Sequence, residues 1–163
     1  MVKKRHCVHC KFDLIHVQSL LEDDDQEEES EDEFRTASEC AQRCVVLYCV
    51  VAAAHGDNKD HIVNWLKEQD LWSVTSPNEK DFLQDPTDDK KNQETWKCEG
   101  IWTLMWALNI VDELGNATDM CNLSGLTEDN YPLKDPAGFI EKYSISRTKA
   151  EILDAADLYY RYE

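Results

Sequence analysis

Two places in the chain carry residue types that can do chemistry. The first is WKCEGIWTLMWALNI, residues 96–110, where three tryptophans and the carboxylate of Glu99 fall within fifteen residues. On a helix Trp102 lies three residues and Trp106 seven residues beyond Glu99, so the carboxylate joins the tryptophan stripe. Stripped of water there, it must be paired or its pKa must rise. Such a group can serve as a general acid or base, and the rings as a cage for a cationic ligand. Aromatic rows at helical spacing more often pack as core, however. Trp102 is therefore expected to be a buried anchor, and Arg43 and Glu99 are expected to form a buried polar pair.

The second place is HCVHC, residues 6–10, in which Cys7 and Cys10 stand at C-x2-C spacing with His16 nearby, as in zinc sites. A closed site needs four ligands and no second C-x2-C follows. Unliganded thiols and no cofactor are the expectation, with Cys7, Cys10 and His16 as the ligands if zinc binds. Cys40 and Cys44 can add to such a site, or serve as small buried apolar groups. His55 and His61 flank Gly56 without a nucleophile or acid pattern beside them. The chain has no phosphate-binding glycine loop, no HExxH and no GxSxG, so no catalytic residue is assigned.

The elements that must position these groups read as helices. Residues 96–109 carry apolar groups around most of the circumference, which suits a central, enclosed helix. Residues 37–55 place Cys40, Cys44, Leu47, Tyr48 and Val51 at helical spacing, and Gly56 falls where a left-handed cap belongs. Asp57 is expected to cap an amphipathic helix bearing Ile62, Trp65 and Leu66. In SPNE, residues 76–79, Ser76 and Glu79 make a capping box with Pro77 at the first helical position. Thr148 and Glu151 make a second box before the last helix. The polar stretch DPTDDKKNQE is expected to be a loop, GNATDMCNLSGL irregular and DPAGFIEKY a short helix. The fold class is thus mainly α, a single compact helical domain, with room for a short N-terminal strand or hairpin around FDLIHVQSL.

Charge divides the chain further. Its 163 residues carry a formal charge of −17. Ten acids and no base fall in EDDDQEEESEDE, residues 22–33. Too apolar-poor to offset its ordering entropy, that run reads as a solvated linker. The expected organisation is an N-terminal appendage (1–21), an acidic linker (22–34) and a helical domain (35–163). The residues after 33 carry another −10, so nucleic acid and anionic membranes are disfavoured and basic partners favoured. There is no continuous run of about eighteen apolar residues and no signal-peptide core, and the seven cysteines are an odd number. A cytoplasmic protein with reduced thiols is the expectation.

The blocks RCVVLYCVVAAAHG, IVNWLKEQDLWSVTSPNEKDFL, WKCEGIWTLMWALNIVDEL and SRTKAEILDAADLYYRY, in this order, resemble the bacterial domain-of-unknown-function family DUF 4272 over about residues 35–162. Where that family usually has Gly after its WAL block this chain has Asn109, which tolerates the same left-handed cap. Members commonly run on past the LYYRY block, so the last helix is expected to be short and its core face covered by something else. The resemblance implies a small helical domain and brings no activity or catalytic residues. Charge and the lack of motifs then favour a binding protein that neutralises a basic partner. An immunity protein against a cognate bacterial toxin is the expected kind, with Asp23, Asp24, Asp25, Glu27, Glu28, Glu29, Glu31 and Asp32 in the contact. The alternatives are a small enzyme with a Glu/His site in a helical pocket and a zinc-dependent regulatory module.

Overall fold

The structure is a computed structural model that describes residues 34–116 and 119–160. The appendage and acidic linker expected from the sequence, with any N-terminal strand or hairpin, lie outside the described residues apart from Phe34. The described residues form α1 (Ala37–Ala54), α2 (Lys59–Glu68), α3 (Pro77–Gln84), α4 (Asp88–Thr95), α5 (Cys98–Ala107), α6 (Pro136–Lys142) and α7 (Lys149–Tyr160). Short 3-10 turns lie between α2 and α3 and between α5 and α6.

Helix α1 is the axis. Its start is fixed by a capping box, in which Thr36 Oγ1 accepts from the Glu39 amide and Glu39 Oε2 accepts from the Thr36 amide at 2.7 Å. From Cys40 to Val51 every residue except Gln42 is buried, so this helix has no solvent face to speak of. Helices α5, α4 and α6 pack around it, α5 most extensively. Helix α1 is long and apolar enough to cross a bilayer, but here it is the mostly buried core helix.

Helix α5 and its C-cap supply the facing half of the core through Ile101, Leu104 and Met105 and through Leu108, all at most 1% exposed. The helix ends as the sequence requires. Asn109 adopts φ +57°, and its amide and that of Ile110 close onto Trp106 O and Met105 O. Gly56 takes φ +111° just past α1.

Three local expectations change. Asn58, not Asp57, caps α2, its Oδ1 accepting from the Asp60 and His61 amides. The stretch expected as a loop contains α4, which Thr87 caps by accepting from the Lys90 amide while Asp88 and Asp89 meet the positive end of the helix. It has no apolar stripe because its one buried residue is Glu94. The tryptophans also separate. Trp106 is buried, whereas Trp102 is only half-buried and sends Nε1 to Glu113 O at 3.2 Å. The reason is rotation: positions 101, 104, 105 and 108 face α1, which turns Trp102 toward the rim.

Candidate functional site

The capping box of α3 leads to the first cluster of charged groups. Ser76 Oγ accepts from the Glu79 amide, and Glu79 Oε2 accepts from the Ser76 amide at 2.9 Å. That geometry turns the Glu79 carboxylate inward, where it is fully buried. Arg43 of α1 meets it with two parallel bonds, Nη1 to Oε2 at 2.7 Å and Nη2 to Oε1 at 2.5 Å. Lys97, the residue before α5, donates Nζ to Oε1 at 2.5 Å. It also stands 2.9 Å from Glu94 Oε2, close enough for an ion pair though poorly aligned for a hydrogen bond. Burial alone would raise the pKa of Glu79, but the bonds and charge of Arg43, then of Lys97, hold it down at about 2. Burial pushes the Glu94 carboxyl up, with Lys97 opposing. Two cations thus balance two carboxylates inside the core. With both Glu79 oxygens engaged and the group ionised at neutral pH, this cluster is built to hold helices together, not to move protons.

The expected Arg43–Glu99 pair is corrected by this geometry: the guanidinium fork is closed on Glu79. Glu99, itself buried, instead has its Oε1 accepting from the Cys121 amide at 2.8 Å, which ties the segment after α5 back to the helix start.

Around that bond lies the second cluster. Ligating atoms of Cys98, Glu99 and Cys121 all lie within 4.8 Å of one another. Cys98 is the first residue of α5 and both thiols are half-buried. A bond from the Cys121 thiol, first of all, lowers the pKa of Cys98 against the effects of burial and the Glu99 charge. The same bond, then burial and the Cys98 and Glu99 charges, drive Cys121 up. The two sulfurs are thus pushed in opposite directions by the bond between them. Tyr48 of α1, 8% exposed, has a hydroxyl with no hydrogen-bond partner among the described residues and stacks edge-on against Tyr131. Burial, then the neighbouring Cys44, Tyr131 and Cys121, push its pKa up.

A family described as Domain of unknown function (DUF4272) matches residues 25–163. The chain belongs to that family. Comparison with curated proteins and with solved structures gave no match.

In this DUF4272 chain Arg43, Glu79 and Lys97 each fall in one of the sequence blocks that carried the family resemblance, and so does Arg147. Arg147 is a residue that sequence reasoning missed. Its Nε donates to Trp106 O at 2.8 Å and its amide to Ala107 O at 2.7 Å, while the guanidinium stacks 4.6 Å from the Trp106 ring centroid. A cation there satisfies the carbonyl end of α5 and opposes its dipole. Only its position just before the Thr148–Glu151 box hinted at a role.

The remaining candidates of the DUF4272 chain are dispersed. Cys7, Cys10 and His16, and Asp23, Asp24, Asp25, Glu27, Glu28, Glu29, Glu31 and Asp32, lie outside the described residues. Cys40 and Cys44 are buried in the hydrophobic core. His61 lines a cleft of about 190 Å³ with Asp57, Trp65 and Leu133, and Glu99 does not line it. The Glu/His pairing expected for an enzyme pocket is therefore not assembled there. The surface is lopsided in charge. Every described carboxylate except Glu79, Glu94 and Glu99 is exposed, nineteen in all, whereas the exposed described bases are Lys67, Lys134, Lys142 and Lys149.

Proposed function

We propose that this protein acts by stoichiometric binding of a basic protein, as a cytoplasmic immunity protein that blocks a toxin whose own substrate is anionic. The observation that carries the reading is the segregation of charge. Arg43 is buried and Lys97 and Arg147 are turned inward onto carboxylates and helix carbonyls, which leaves nineteen exposed carboxylates against four exposed and five partly exposed bases among the described residues. A further −10 stands in residues 22–33. Carboxylates presented this way can occupy phosphate-binding positions of a cationic enzyme, so blocking needs no chemistry from this chain. The better-formed charged cluster, around Glu79, is internally neutralised and offers no competing catalytic role.

The test is protection of cells that co-express this chain with the product of a toxin-like reading frame adjacent to its gene. Protection is expected, with association slowing as salt rises, because exposed charges are screened over about 8 Å at physiological ionic strength. Replacing the acids of residues 22–33 by Asn and Gln should slow association at least tenfold. Absence of complex formation and protection rejects the reading; full protection without those acids moves the contact onto the helical body.

A further inference from the structure

We propose that Cys98, Glu99 and Cys121 form a zinc site, with three protein ligands joining the start of α5 to the segment that returns over it and a fourth position left to water. The inference stands apart from the binding role above and concerns the helical body, not the N-terminal cysteines.

The geometry fits the ion. Tetrahedral zinc with Zn–S near 2.3 Å sets its thiolates about 3.8 Å apart, with Zn–O contacts a little shorter. The three ligand atoms here already lie within 4.8 Å of one another, so closure asks for movements under about 1 Å. The backbone holds them in place. Cys98 and Glu99 are the first two residues of α5, and Cys121 is anchored by its amide bond to Glu99 Oε1, which also fixes the plane of the carboxylate. Two sulfurs and one carboxylate oxygen suit zinc and not magnesium or calcium, which take oxygen donors only.

Tyr48 supplies the independent observation. Tyr48 is more than nine-tenths buried, its hydroxyl lacks a hydrogen-bond partner among the described residues, and it lies near enough to Cys121 to feel its charge. A buried hydroxyl without a partner is costly. A zinc-bound water, or zinc itself, at the open fourth position would satisfy it. Zinc enters as Zn²⁺, the thiol protons leave to the buffer, and two thiolates plus one carboxylate then carry −3 against its +2, with no change of oxidation state.

The experiment uses the full chain purified under reducing conditions without chelator. Elemental analysis is expected to give one equivalent of zinc, and cobalt(II) substitution should give the charge-transfer band of two thiolates. Both should be lost in C98S and in C121S, retained in C7S/C10S, and retained with at least threefold weaker affinity in Y48F. Since a serine variant can lose its fold, saturating zinc is also tested on the wild type, where it should slow iodoacetamide labelling of Cys98 and Cys121 at least tenfold. No bound zinc, zinc lost only in C7S/C10S, or unprotected Cys98 and Cys121 at saturation would each overturn the proposal.

Discussion

The carboxylate of Glu79 answers three demands at once: it caps α3, pairs with Arg43 from α1 and takes Lys97 from the entry to α5. Removing it leaves a buried guanidinium without its counter-charge, and breaking such a pair typically costs about 3–5 kcal/mol. Glu79→Gln should lose that much in urea unfolding at pH 7. The pH dependence has a definite sign. Because the folded pKa is depressed to about 2 from an ordinary 4.5, the contribution is complete above 4.5 and fades as pH falls toward 2. The gap between wild type and E79Q should therefore narrow steadily between pH 5 and pH 2; a gap that stays constant places the stability elsewhere. The sequence made Glu79 legible as a capping residue, since SPNE is a local signal. It did not show that Arg43 belongs to Glu79, because the two are 36 residues apart and spacing says which groups are buried, not which of them meet. Cys121 and Tyr48 stayed illegible for the same reason, Tyr48 being 50 or more positions from either partner of the thiol cluster.

Among the elements, α1 and α5 could be read closely because their burial is almost complete and their caps are local. Helix α4 could not, since an element held by a buried glutamate and a lysine from the next segment leaves no apolar period behind. The rotation of α5 about its own axis was equally hidden, and it decides which tryptophan matters. Trp106 fills the core under the Arg147 guanidinium, so Trp106→Ala should cost about 3–5 kcal/mol. Trp102, at the rim, should cost roughly 1–2 kcal/mol on the same change, from the partial loss of buried area and one hydrogen bond. Chemical denaturation of both variants measures the difference; equal losses would mean that α5 sits turned from the orientation described.

For the whole molecule, the net charge was plain in the composition, while the inward turn of Arg43, Lys97 and Arg147 that sharpens its surface expression was not. A chain of −17 repels itself when compact. Its melting temperature at pH 7 should therefore rise by several degrees as salt goes from about 0.01 M to 0.15 M, where the screening length falls from about 30 Å to 8 Å. A falling temperature in a differential scan would mean that surface ion pairs outweigh the repulsion. Helix α1 carries a different consequence, in the order of synthesis. It is complete at Ala54, but the helices that cover it end at Thr95, Ala107 and Lys142. At roughly 5–20 residues per second, an 18-residue apolar helix emerges and waits on the order of 10 s for its cover. During that interval the apolar residues that will become the core stand exposed, so the nascent chain is at its most prone to aggregate before α5 and α6 are made.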